Sequence, residues 1–71
     1  MKAEELARCQ RYLELTVPQM AVLLGAQPRT YWRWIAGKTR IPGTVDALMV
    51  ILLKYPQVRS DAVAAVRSPP L

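Results

Sequence analysis

The chain has no histidine and only one cysteine, and these two shortages exclude several classes of enzyme. Without histidine, neither a Ser–His nor a Cys–His nucleophile pair can form. The five acidic residues are scattered: Glu4 and Glu5 are adjacent, and Glu14 is too far from them to form a carboxylate pair around one substrate. One cysteine and no histidine leave no ligand set for zinc. We therefore expect no catalytic site, no metal site and no cofactor.

Long apolar runs are also missing. The longest, residues 47–53, is far too short to span a bilayer, and the N-terminal MKAEELARCQ is charged where a secretory signal is apolar. The single Cys9 cannot form an internal disulfide, which agrees with a reducing compartment. The sequence predicts a cytoplasmic protein with no membrane partner. A length of 71 residues leaves no room for a ligand-sensing module, so we expect no small-molecule ligand.

Apolar residues recur at helical spacing along the chain, and no segment alternates as a strand does. The pattern predicts an all-α bundle of about five helices, at residues 3–15, 17–24, 28–36 and 44–54, with a last helix that starts at about residue 57 or 60 and ends at 66. Residues 1–67 are expected to form one domain, and residues 68–71 a flexible tail.

Residues 16–37 have the start and stop signals of two helices joined by a tight turn. Thr16 is a suitable N-cap for the first helix. Gly25 stands where that helix ends, a position that favours positive φ. Pro28 opens the second helix, where its missing N–H costs nothing, and Gly37 ends it. A turn this short is typical of a helix-turn-helix, which presents one helix to a DNA groove.

Small or apolar residues occupy particular positions of the helix-turn-helix segment 17–36. The segment Trp34-Ile-Ala-Gly-Lys38 follows the pattern "tryptophan, two residues, glycine, lysine". In both respects the chain resembles the helix-turn-helix repressors of the Cro/C1 (XRE) type. The resemblance implies a dimeric repressor that inserts the helix at residues 28–36 into the major groove of a palindromic operator. The segment 42–48 and the short length also resemble anti-CRISPR-associated regulators of phages, which repress their own operons. The residues that fit the motif are Met20, Ala21, Leu24, Gly25, Ala26, Tyr31 and Trp34.

Residues 15–45 contain four basic residues and no acidic residue, so this stretch carries +4 of the net charge of +5. Many basic clusters are only a solvated face, but this one falls on the second motif helix and the loop after it, the surfaces that such a domain turns to phosphates. The expected base-reading residues are Gln27, Arg29, Trp32 and Arg33. The expected phosphate-binding residues are Thr16, Thr30, Lys38, Thr39 and Arg40.

The base-reading residues have different expected roles. Arg29 and Arg33 are one turn apart, and each can form a bidentate pair with guanine O6 and N7. For Gln27, contact with adenine and capping of the helix are equally supported. Trp32 either contacts thymine methyls or a sugar edge, or folds back over the domain; we favour DNA contact. Trp34 is assigned to the core.

The apolar fraction of 52% is generous for so small a protein. Either the core is unusually rich or another chain covers part of the apolar surface, and we favour a homodimer. A two-fold dimer also contacts two half-sites of DNA, which compensates for the few base pairs that one short reading helix can contact. The sequence does not divide core from interface; the candidates for both together are Leu48, Ile51, Leu52, Tyr55, Val63 and Val66.

The sequence therefore predicts a sequence-specific double-stranded DNA-binding transcriptional regulator, most simply a dimeric autorepressor located at the nucleoid. Two alternatives stay open. One is an antitoxin that binds both DNA and its toxin, which the short tail disfavours. The other is a helical protein-docking module, which the acid-free stretch disfavours because protein docking does not require it.

Overall fold

The computed structural model describes residues 1–68 and consists of five α-helices, with no strand in that part of the chain. The predicted all-α class is therefore confirmed. Residues 69–71 of the predicted tail lie outside the described residues. None of the described helices is both long and apolar enough to cross a bilayer. The helices are α1 (Ala3–Leu13), α2 (Val17–Leu23), α3 (Pro28–Ile35), α4 (Gly43–Lys54) and α5 (Pro56–Arg67).

The predicted end of α1 is wrong by two residues, because the chain leaves the helix at Glu14. This residue takes the left-handed conformation, with φ +56°, which is uncommon for a residue other than glycine. The Leu15 amide then donates to the Gln10 carbonyl at 3.3 Å, the bond that closes a Schellman motif. The reversal turns Leu15 into the core, where it is 5% exposed.

The link between α2 and α3 consists of residues 24–27 and follows the predicted signals. Thr16 and Gln19 form a reciprocal capping box at the start of α2, with bonds of 2.8 and 3.3 Å. Gly25 has φ +67°, and the Ala26 amide donates to the Ala21 carbonyl at 2.8 Å. Gln27 precedes α3 without a side-chain capping bond, so the capping role considered for it is not observed.

The core lies where the inner faces of the helices meet. α3 packs against α1 and α2, and α5 packs against α2 and α4. Ile41 is also buried although it lies in the loop between α3 and α4, so one residue fixes that loop to the core. The buried residues are Leu6, Leu13, Leu15, Met20, Ala21, Tyr31, Trp34, Ile41, Val45, Met49 and Leu52.

α4 and α5 are separated by Tyr55 alone, since Pro56 cannot continue α4 and is well suited to begin α5. The Arg59 guanidinium donates to the carbonyls of Leu52 and Leu53 at 3.2 and 3.4 Å. These bonds satisfy carbonyls in the last turn of α4, which have no partner within the helix.

We expect Gly25→Ala and Gly37→Ala each to lower the free energy of unfolding by about 1–2 kcal/mol, since both glycines have φ near +70° and a Cβ is disfavoured there. Gly43→Ala is the matched control, because Gly43 lies outside the positive-φ region and a Cβ meets open space at all three positions. That variant should have unchanged or slightly raised stability. Urea unfolding compares the three, and equal losses at all of them would contradict the conformational explanation.

Candidate nucleic-acid interface

α3 has two chemically opposite faces. Tyr31 and Trp34 lie on the inner face and are 0% and 7% exposed. Arg29, Trp32 and Arg33 lie on the outer face, since residues three and four apart share one side of a helix, and all three are exposed. The helix therefore offers two guanidinium groups and an indole to solvent on one surface.

The inner face of α3 is held by contacts to two other helices. The Tyr31 hydroxyl donates to Gln10 Oε1 of α1 at 2.8 Å. The Tyr31 ring packs edge-on against Trp34, with centroids 6.4 Å apart. On α2, Ala21 is 1% exposed, and its small side chain allows α2 and α3 to approach closely. These contacts fix the direction in which the outer face of α3 points.

Burial raises the pKa of Tyr31 to about 12, from 10.0 for a free tyrosine. Between these two values the unfolded chain releases the phenolic proton while the folded protein keeps it. The contribution of this group to stability is therefore complete below pH 10 and is lost as the pH rises toward 12.

Tyr31→Phe should lower the free energy of unfolding by about 0.5–1.5 kcal/mol at neutral pH, because Gln10 loses its partner. It should also reduce the loss of stability between pH 10 and 12. Urea unfolding at a series of pH values measures both effects. Tyr12→Phe, which keeps the Tyr31 phenol, is the control and should retain the wild-type profile; an identical profile for Tyr31→Phe would contradict this assignment.

The cations of the acid-free stretch are exposed, and their side chains form no ion pair or hydrogen bond within residues 1–68. The one ion pair in that range joins the N-terminal ammonium to Asp46 at 3.9 Å. By contrast, Arg59 and Arg67 of α5 donate to backbone carbonyls at the ends of α4 and α1. No sequence pattern predicts these two structural roles. The four exposed cations are Arg29, Arg33, Lys38 and Arg40.

The loop after α3 begins close to the last turn of that helix. The amides of Lys38 and Thr39 both donate to the Arg33 carbonyl, at 2.9 and 3.4 Å. This reversal keeps the Lys38 backbone beside the outer residues of α3, and Arg40 follows in the same loop. Among the candidate phosphate-binding residues, Thr16 caps α2 and its amide is already bonded to Gln19 Oε1. All five candidates, Thr16, Thr30, Lys38, Thr39 and Arg40, are exposed.

The six candidates for core or interface divide into three groups. Leu52 is 1% exposed and belongs to the core. Leu48, Val63 and Val66 are partly buried against the core. Ile51 and Tyr55 are 43% and 49% exposed.

Other large apolar side chains are exposed close to Ile51 and Tyr55 in the chain, in the C-terminal half of α4 and the first turn of α5. Together they form what we term the exposed apolar set. Apolar residues lie around most of the circumference of α4, which explains why three members of the set fall on that helix, and one member falls on α5. The set consists of Val50, Ile51, Leu53, Tyr55 and Val58.

A groove of about 390 Å³ lies between α1 and α4, with Cys9, Tyr12, Met49 and Leu53 in its lining. Burial raises the pKa of the Cys9 thiol above its ordinary value, which keeps the thiol protonated and poorly nucleophilic at neutral pH. Within residues 1–68, no group of three or more His, Cys, Asp or Glu side chains is placed to hold a metal ion.

Comparisons with protein-family models, curated proteins and solved structures gave no significant match. The function is therefore inferred from the chain's own residues and their placement.

Proposed function

We propose that the chain is a sequence-specific double-stranded DNA-binding transcriptional regulator, in which α2 and α3 form a helix-turn-helix and α3 enters the major groove. The observation that carries the proposal is the outer face of α3. It holds Arg29 and Arg33, exposed and not ion-paired within the described chain, in a stretch without a single acid. The major groove admits one α-helix and presents a distinct donor and acceptor pattern for each base pair.

The spacing of the two arginines suits base reading. Four residues of α-helix rise about 6 Å, close to two base-pair steps of about 3.4 Å along the duplex. Arg29 and Arg33 can therefore address guanines on separate base pairs, each through a bidentate guanidinium contact. Lys38 and Arg40, in the loop that folds back from α3, bind backbone phosphates and set the register of the helix in the groove.

The turn between α2 and α3 supports the same proposal. A four-residue link with Gly25 in the left-handed region brings two short helices into direct contact. The buried Ala21 on α2, with Tyr31 and Trp34 on α3, keeps that contact close. A reading helix needs this support, because its side chains must reach the bases from a fixed position.

We propose further that the regulator is a homodimer and that the exposed apolar set contributes to its contact. An isologous contact places two copies of α3 about a two-fold axis, so the operator is palindromic. Occupation of a promoter by such a dimer, including its own promoter, represses transcription without any further activity. A regulator of this kind acts at the nucleoid, in the cytoplasm.

The exposed apolar set also favours a second function, the docking of a different protein. A docking module of this type uses α4 and α5 and has no use for the outer face of α3. The two functions are therefore separated by variants of Arg29 and Arg33, which should affect DNA binding and leave protein docking unchanged.

The proposal is tested by selecting bound fragments from random duplex DNA and measuring affinity for the selected sequence over a range of salt concentrations. Lys38 and Arg40 on two subunits give at least four phosphate contacts, so the log–log slope should be about −4 or steeper. Lys38→Gln should make the slope less steep by about 2 in a dimer. A flat salt response, or the absence of any selected sequence, would contradict the proposal.

A further inference from the structure

Trp32 carries an exposed indole that makes no aromatic or cation–ring contact within residues 1–68. Its side chain is 56% exposed on the outer face of α3, between Arg29 and Arg33. Within residues 1–68, the aromatic pair is Tyr31 with Trp34, and the cation–ring contacts lie at Tyr12 and Tyr55. Neither the ring face nor the N–H of Trp32 has a partner among these contacts. The indole is therefore available to a ligand that approaches α3.

The two arginines limit what that ligand can be. An exposed indole without intramolecular contacts can bind many kinds of partner. Guanidinium groups on both sides of it favour a polyanion with flat hydrogen-bonding edges. In the major groove, thymine presents a C5-methyl group beside the O4 acceptor. An indole has the complementary pair of features, an apolar face and one N–H donor. The other base edges in that groove carry no methyl group.

From this juxtaposition we infer that Trp32 reads the C5-methyl group of a thymine, and that the operator therefore contains thymine beside the guanines read by Arg29 and Arg33. The inference rests on the proposed DNA-binding function. It makes Trp32 a specificity-determining residue, because contact with a methyl group distinguishes thymine from cytosine at one position. The ring covers the methyl group, so the contribution of Trp32 to discrimination is the binding free energy gained by burying one methyl group.

The test replaces each thymine of the selected duplex by deoxyuridine, which keeps O4 and the base pair and removes only the methyl group. One thymine in each half-site should be sensitive to this replacement. The affinity should fall about fourfold when that thymine is replaced in one half-site and about fifteenfold when it is replaced in both. Trp32→Gln should bind the thymine and deoxyuridine duplexes equally, whereas Trp32→Phe should retain part of the discrimination. Circular dichroism checks that the variants keep the helical fold, as expected for an exposed position.

The outcomes separate this inference from the function on which it rests. If no thymine is sensitive, or if Trp32→Gln discriminates as the wild type does, methyl reading by Trp32 is wrong while sequence-specific DNA binding stands. Tighter binding to the single strand than to the duplex would indicate base stacking on the indole and would also overturn the inference. A chain that selects no duplex at all would contradict both proposals together.

Discussion

Replacement of both Arg29 and Arg33 by alanine is expected to abolish sequence-specific DNA binding and to leave the fold intact. Each bidentate arginine–guanine pair contributes about 1–3 kcal/mol of discrimination. The double variant should therefore lose about 2–6 kcal/mol for each half-site, which is roughly 30-fold to 10⁴-fold in affinity. Neither side chain is buried, so circular dichroism and thermal unfolding should stay close to those of the wild type.

The matched control for this variant lies on α1. Arg8 and Arg11 are also exposed, and their replacement by alanine removes the same net charge from a surface outside the acid-free stretch. That control should weaken binding to selected and scrambled duplexes by similar, small factors. Arg29→Lys should keep the salt slope while losing sequence discrimination, since an ammonium group cannot form the bidentate pair. If the α3 and α1 double variants behave alike, the outer face of α3 does not read bases.

The second large effect is expected at two adjacent residues of α4. Leu52 is 1% exposed, so Leu52→Ala should lower the free energy of unfolding by about 2–5 kcal/mol through lost burial and a residual cavity. A domain this small has a total stability near the lower end of about 5–15 kcal/mol. A considerable fraction of the variant should therefore be unfolded near physiological temperature.

Ile51 is 43% exposed and should respond in a different way. Ile51→Ala should cost less than about 1 kcal/mol in the monomer, but it should weaken self-association, and Ile51→Glu should abolish it. Sedimentation measures association, and urea unfolding at several protein concentrations separates dimer from monomer stability. Unchanged association of both Ile51 variants would contradict a role of Ile51 in the proposed dimer contact.

Local backbone chemistry made most helix boundaries predictable. Thr16, Gly25, Pro28 and Gly37 each carry a preference that depends on their own side chain or on its absence, and the structure uses all four as expected. The end of α1 was not predictable in this way, since a left-handed glutamate has no local signature. Its conformation is supported by a bond from Arg67, 53 residues further along the chain.

The candidate interface also has features that local sequence predicts and features that depend on tertiary packing. The outer face of α3 followed from helical spacing alone, because Arg29, Trp32 and Arg33 share a side of any α-helix at those positions. Core and surface could not be separated on α4, since Leu52 and Ile51 are adjacent and almost equally apolar. Their different burial depends on which side of α4 faces the core, and the hydropathy of the two residues does not encode this.

The bond from Arg67 to the Glu14 carbonyl, 2.8 Å long, has a consequence for protein synthesis. A ribosome completes α5 after the other four helices, so a nascent chain that lacks α5 leaves the end of α1 open to water and the α5-facing side of α2 uncovered. A chain halted at that stage is therefore expected to be less stable than the complete five-helix bundle. Proteolytic removal of α5 from a finished molecule is expected to expose the same two surfaces.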